Sequence, residues 1–228
     1  MNQIKAKLLH SSLFSKDNFA YKIMRGWAYF LFGTRKKKHG KNNIISAHGI
    51  LQRCRIEIIG NDNYVEIGNY GVARGLNISI YGNNNRVTIG SDTNFTGTNL
   101  SCWDDNNKIV IGNGGNLGKS NISAMEGKKI VIGDGFLLSF DVEIRTSDSH
   151  SIFDENNQRI NNAKDIYIAN NVWIAQKCLI FKGAGIPTGS VIGANSFVNK
   201  QLSHERSVYV GSPVRELRTN ITWNEKRE

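Results

Sequence analysis

Between Ile168 and Val198 the chain repeats itself every six residues. Ile168, Ile174, Ile180, Ile186, Ile192 and Val198 keep that interval without a miss. Val172, Cys178, Ala184, Ser190 and Ser196 each follow one of the first five by four residues, and all are small or β-branched. Neither the 3.6-residue period of a helix nor the alternation of a lone strand yields six. Six residues fit one face of a coil with a triangular cross-section. The aliphatic residue points to the axis and the small one fits the corner. Three such faces make a coil of eighteen residues. Stacked coils then pair their amides with the coils above and below.

A longer repeat precedes this one. Gly68, Gly90, Gly112 and Gly133 each follow an isoleucine (Ile67, Ile89, Ile111, Ile132), at intervals of 22, 22 and 21. Two residues before each isoleucine stands Val65, Val87, Ile109 or Ile130. Polar quartets recur ahead of the first three: Gly60-Asn61-Asp62-Asn63, Gly82-Asn83-Asn84-Asn85 and Asp104-Asp105-Asn106-Asn107. Each unit reads as an eighteen-residue coil with one corner enlarged by three or four residues. Asn and Gly suit such corners because both tolerate positive φ.

The two repeats meet at an interruption. Ile132, Leu138 and Ile144 hold the frame, but its continuation would place His150, Asn156 and Asn162 on the axis. Burying three unpaired polar side chains there would cost on the order of several kcal/mol. The chain is therefore expected to leave the coil near Arg145 and return near Ile166. A loop of about twenty residues inserted in a regular solenoid is usually functional.

Of 228 residues, 23 are Gly and only 2 are Pro, which suits many tight turns between short strands. The expected organisation is an N-terminal helical and basic segment (1–43), a parallel β-helix (44–200) with an ejected loop (145–165), and a tail (201–228). The net charge of +10 draws partly on one cluster, Arg35-Lys36-Lys37-Lys38-His39-Gly40-Lys41. No basic helix carries base-reading residues, so nucleic acid is not expected as a partner. Cys54, Cys102 and Cys178 are odd in number and widely spaced, which argues against a disulfide framework or a zinc site. No signal peptide is visible, and a cytoplasmic location is expected.

Several stretches resemble the hexapeptide-repeat acyltransferases. They are Ile168-Ala169-Asn170-Asn171-Val172-Trp173-Ile174-Ala175, Lys182-Gly183, Val191-Ile192-Gly193-Ala194-Asn195-Ser196-Phe197-Val198 and Gly211-Ser212-Pro213. Asp148-Ser149-His150 and Arg159-Ile160-Asn161 are similar to the sugar and capsular-polysaccharide O-acetyltransferases within that family. The resemblance spans about residues 44–218. It implies an all-β, left-handed parallel β-helix, a triangular solenoid, with acetyl-coenzyme A as co-substrate and no metal. It also implies a homotrimer with its sites between subunits. Two departures stand out: Ala175 where the family usually has Gly, and Ile186-Pro187 where it has Ile-Gly.

Acetyl transfer to a hydroxyl needs a proton acceptor, a donor for the developing oxyanion and a groove for the long cofactor. Neutral imidazole accepts a proton near pH 7. His150, on the ejected loop, is the expected general base; His10, His39, His48 and His204 are read as surface residues. Asp148 is either an orienting group or a solvated carboxylate. The resemblance places Trp173 beside the thioester, with its indole N–H as donor; packing between subunits is the competing reading. It assigns cofactor contacts to Ala175, Gln176, Ala194, Asn199, Lys200, Arg215 and Arg218. Lys182 is added as a further cation suited to phosphate.

The aromatic segment Tyr21–Phe32 is too short and too charged to span a membrane. It reads as a cap over the open end of the solenoid. With the basic run behind it, residues 20–41 also suit a peripheral membrane contact. The expected reaction is acetyl transfer to a hydroxyl of a bacterial surface glycan. N-acetylation of an aminosugar nucleotide, or acetylation of an antibiotic, would use the same fold and base. A non-catalytic β-solenoid that binds a partner would show Thr ladders and no ejected loop, and neither is present.

Overall fold

The computed structural model describes residues 19–226. The part of the expected N-terminal segment before residue 19, His10 included, lies outside them. Three sheets of eight, seven and nine strands wind around one axis, parallel throughout except for the terminal strand of the third, Arg215–Arg218, which is antiparallel. The first face begins at Arg35–His39 and ends at Phe197–Val198, the second runs from Ile44–Ala47 to Gly185–Ile186, and the third starts at Ile50–Gln52. The chain always passes from first to second to third.

The core is a set of inward columns. Ile168, Ile174, Ile180, Ile186, Ile192 and Val198 are all buried, as are Val172, Cys178, Ala184, Ser190 and Ser196 at the corners. Each fully buried Ile contributes about 1.5–3 kcal/mol through lost water contact. Trp173 pairs with Val191 and Leu179 with Phe197, the register of eighteen-residue coils. All three cysteines are free and buried, and burial pushes the Cys102 thiol up to about 12. Such thiols pack as small apolar residues and have little reactivity.

The earlier coils are longer, and the extra length sits at the corner of the polar quartets, though it differs in size from the three or four residues expected. Asn77 pairs with Asn99 and Asn99 with Asn121, a register of 22. The inward Ile78 and Ile89 stand eleven residues apart, while the equivalent Ile180 and Ile186 stand six apart. The corner between first and second faces thus gains five residues, and the corner between third and first loses one. The enlarged corners are stitched by asparagines. The buried Asn63 accepts from the backbone N–H of Asn85 at 2.9 Å, and Asn85 accepts from that of Asn107 at 2.8 Å. Outside them, Asn61, Asn83 and Asp105 form a second ladder. Gly60 and Gly82 have φ of 136° and 135°. A Cβ at Gly60 would lie 1.9 Å from the Gly82 carbonyl oxygen, so no larger residue fits.

Helix α1 (Phe19–Phe32) lies on the third face, where Met24 packs on the outward Ile50 and Val72. The basic run, expected within the helical N-terminal segment, is instead a strand, Arg35–His39, the first rung of the first face. Its register sets Lys36 and Lys38 over the inward Ile56 and Ile58, and Lys38 Nζ donates to the Asn43 carbonyl at 2.8 Å. A lysine can occupy such a terminal rung because its stem covers apolar surface while its amine reaches water.

Candidate active site

The chain leaves the first face after Val142–Arg145 and enters the second at Ile166–Ile168. Glu143 pairs with Leu179, 36 residues on, so the excursion adds eighteen residues to one coil. The exit is fastened at once. Buried Thr146 accepts from the Met125 N–H at 2.8 Å and donates back to the Met125 carbonyl at 3.1 Å. Its hydroxyl replaces the backbone partner that a continuing strand would supply.

Two ion pairs brace the loop from opposite ends. Arg159 grips Glu126 with both terminal nitrogens, at 2.6 and 2.9 Å, and the Ser147 hydroxyl donates to the same carboxylate. Lys182 Nζ donates to Asp148 and, at 2.9 Å, to the Asn161 carbonyl. Asn161 links these elements: its amide donates to Asp148 Oδ2 and to the His150 carbonyl, both at 2.8 Å, while its oxygen accepts from the Ile152 N–H at 2.8 Å. The hydrogen bonds from Arg159 and Ser147 hold the Glu126 carboxyl below the usual range, and that from Lys182 does the same for Asp148. His150 is therefore fixed by its backbone, while its ring is exposed and has no hydrogen-bond partner among the described residues. A cleft of about 700 Å³ is walled by both neighbours of His150, Ser149 and Ser151, and by Trp103, Asp104, Met125, Glu126 and Arg159.

The other expected site residues fall into separate groups. Trp173 lies on the third face, half-buried, with its indole nitrogen 3.5 Å from Ser139 Oγ, the outer limit of a hydrogen bond. Trp173 faces outward, alternating with the buried, inward Ile174, but its ring is partly covered. The tail returns along this side, Trp223 lies 6.0 Å from the Trp173 ring, and its own indole donates to the Asn171 carbonyl at 2.8 Å. Ala175 and Gln176 follow Trp173 at the corner between third and first faces, and Ala194 stands one coil further along it. Asn199 and Lys200 follow the last strand of the first face, exposed, at the corner from which the His150 loop springs. Arg215 and Arg218 are exposed on a strand antiparallel to Val208–Val210, which His204 anchors through Glu216 at 2.6 Å. Within one protomer, His150 and Trp173 thus occupy different sides of the triangle. Lys182, expected at the cofactor, is instead spent on Asp148 and Asn161, because its corner lies directly above the loop exit.

Of the residues that brace the loop, Asp148, Arg159, Asn161 and Lys182 lie in stretches the sequence singles out, though their pairing was not foreseen, and Glu126 was missed altogether. Glu126 has one detectable signal. In the last long unit the polar quartet is replaced by Glu126-Gly127-Lys128, one residue shorter, and the asparagine ladder stops at Asn107.

No family model matches the chain. It is 34% identical over 102 residues to a polysialic acid O-acetyltransferase of Neisseria meningitidis, covering 44% of this chain and 47% of that protein. It is 33% identical over 95 residues to a polysialic acid O-acetyltransferase of Escherichia coli O1:K1, covering 41% and 31%. The matched segments thus span about half or less of these curated relatives. Among solved structures, the polysialic acid O-acetyltransferase OatWY superposes with a TM-score of 0.82 at 31% identity, over 85% of this chain and 93% of that one. The polysialic acid-specific acetyltransferase NeuO gives 0.80 at 27%, over 85% and 83%. The chain belongs to the hexapeptide-repeat acyltransferases, left-handed parallel β-helices, and stands among them near the capsular polysaccharide O-acetyltransferases.

Proposed function

We propose that this chain transfers the acetyl group of acetyl-coenzyme A to a hydroxyl of a bacterial surface glycan, with His150 as general base. One observation carries the reading: a loop braced by two ion pairs holds an exposed imidazole between two residues, Ser149 and Ser151, that wall a cleft. The acceptor hydroxyl gives its proton to the His150 ring as its oxygen attacks the thioester carbonyl. The carbon–sulfur bond then breaks, and the leaving thiolate takes the proton back from the imidazolium. No enzyme nucleophile takes part.

The working unit is a homotrimer with its sites between subunits. Two features support this. His150 and Trp173 stand on different sides of one protomer, so a neighbour must complete the site. The outer end of the first face is apolar, with Phe140 and Leu179 exposed and Phe181 packed edge-on to Phe197 at 5.3 Å. Ala175, Gln176 and Ala194 line the corner along which the cofactor's pantetheine arm runs, the two alanines being small enough for close backbone approach. Asn199, Lys200, Arg215 and Arg218 are exposed polar or cationic groups suited to its phosphates.

Among the described residues no helix is long and apolar enough to cross a membrane. Ile23, Trp27 and Leu31 are exposed at intervals of four on α1, close in sequence to the basic rung. That stripe supports peripheral contact of the cytoplasmic protein with an anionic membrane.

The test is release of coenzyme A thiol in the presence of capsular oligosaccharides, aminosugar nucleotides and chloramphenicol-like drugs, with polysialic acid the first acceptor. Turnover on a glycan, lost at least about 100-fold in His150→Ala, is the expected result. A folded His150→Ala trimer that keeps most of its activity overturns the mechanism.

A further inference from the structure

The outer surface of the first face changes character along the axis. Beyond the His150 loop, towards the N-terminal coils, it carries neither the apolar patch described above nor a random polar mixture. One column is Asn77, Asn99 and Asn121, with each amide donating to the next at 3.0 and 2.8 Å. The adjacent column is Ser79, Ser101 and Ser123, the last two joined at 2.8 Å. A third column forms a raised edge of Ile59, Tyr81, Trp103 and Met125. Tyr81 and Trp103 stack at 4.6 Å, and Trp103 is 44% exposed.

This edge runs straight into the candidate active site. Trp103 and Met125 wall the cleft beside His150, and the Ser149 hydroxyl lies 3.6 Å from the Met125 sulfur. In the other direction the same columns end on the basic rung, where Arg35, Lys37 and His39 continue the outward rows in register with Arg55, Glu57 and Ile59. From Met125 to His39 is four strand spacings, about 19 Å.

We infer that this face is an extended acceptor site for an anionic glycan chain, several sugars long, threaded from the basic rung to His150. The inference rests on the reading of the protein as a glycan acetyltransferase and specifies how the acceptor is held. Flat aromatic faces suit the C–H faces of pyranose rings, and a lawn of small amides and hydroxyls suits their hydroxyl groups. Arg35 and Lys37 supply charge for carboxylates or phosphates at the far end. The polar character of the lawn makes it unfit for a buried subunit contact, unlike the phenylalanine-rich end of the same face.

The test uses the full chain and fluorescein-labelled polysialic acid, as a tetramer and as chains beyond about twenty residues, with polygalacturonate as a second polyanion and dextran as the neutral control. Binding is read by fluorescence polarisation, with no turnover needed. Wild type is expected to bind a long anionic chain about ten-fold more tightly than the tetramer, and dextran not at all. A Tyr81→Ala/Trp103→Ala variant should lose that ten-fold preference, at roughly 1.4 kcal/mol per factor of ten, while its affinity for coenzyme A is unchanged. Equal affinity for long and short chains in wild type, or an unaltered preference in the variant, overturns the inference. So does dissociation of the trimer by the double substitution, which would make the aromatic edge a subunit contact. Length-dependent binding without acetyl transfer would sink the proposed reaction and leave the binding site standing.

Discussion

The Arg159 guanidinium holds both carboxylate oxygens of Glu126, joining the far limb of the ejected loop to a corner 33 residues earlier in the chain. The pair is about a quarter exposed on each side, so its net contribution to stability is modest, ~1 kcal/mol or less. Its chief effect is geometric. A planar fork on a planar carboxylate fixes orientation as well as distance, and Asn161, two residues on, sets the His150 backbone. Glu126→Gln should therefore lower kcat several-fold to ten-fold while the Kd for coenzyme A stays constant. Arg159→Lys, which keeps the charge and loses the fork, should fall between that variant and wild type. An unchanged kcat in both would mean that the loop is held by its other contacts alone.

Acid should loosen the same bracing. Glu126 and Asp148 both titrate below their ordinary range in the folded chain, through Arg159 and Lys182 respectively. The unfolded chain thus binds protons at a higher pH than the folded one. The stability they provide is complete above the unfolded carboxylate range of about 4 and drains away as the pH falls through their folded values. The melting temperature of wild type should drop more between pH 5 and pH 3 than that of Glu126→Gln/Asp148→Asn. Parallel acid limbs in the two proteins would refute the assignment.

The inner asparagine ladder should be worth more than the outer one. Asn85 is 1% exposed and bonds the Asn107 N–H and the Asp104 carbonyl, so removing its amide leaves buried backbone groups unpaired. Asn85→Ala should cost about 1–3 kcal/mol. For a chain of this size that lowers the melting temperature by roughly 2–4 °C per kcal/mol. Asn84 makes a side-chain bond of similar length, to Asn106 at 2.7 Å, but in full solvent. Asn84→Gly, which adopts the φ of 54° at that position without strain, should stay within about 0.5 kcal/mol of wild type. A calorimeter separates the two outcomes easily.

These cases mark what the sequence could disclose. Ile168 to Val198 was legible because each position in a six-residue face makes one demand, aliphatic, small or solvent-facing, and repetition multiplies the signal. His150 was legible for the opposite reason: three polar residues could not follow Ile144 onto the axis. End effects were not legible. Lys36 and Lys38 occupy inward positions of the first rung, where water is near enough for a lysine and the apolar pattern disappears. Contacts between distant segments left no period either. Nothing in Trp223 announces that the tail folds back on Trp173, and nothing in Lys182 announces Asp148. The corner lengths were misjudged because the 22-residue spacing gives only the sum around a coil.

The cations expected at the cofactor now separate into two kinds, and mutagenesis should divide them. Lys182 is only 20% exposed, and its amine is committed to Asp148 and to the Asn161 carbonyl. Lys182→Met should leave Asp148 without its counter-ion and loosen the stretch that fixes His150. The expected result is a lower kcat with little change in the Kd of coenzyme A. Lys200, Arg215 and Arg218 are exposed, and none of the three forms an ion pair among the described residues. If Lys200 and Arg218 meet the terminal phosphate of the cofactor, replacing both should weaken coenzyme A more than its dephosphorylated analogue, since only the former carries that charge. Isothermal titration of both ligands on both variants gives four constants. Selective loss of coenzyme A binding in the Lys200/Arg218 variant, with both ligands unaffected in Lys182→Met, is the pattern this geometry requires. Equal losses for the two ligands would remove Lys200 and Arg218 from the phosphate, and weakened coenzyme A binding in Lys182→Met would return that lysine to the cofactor.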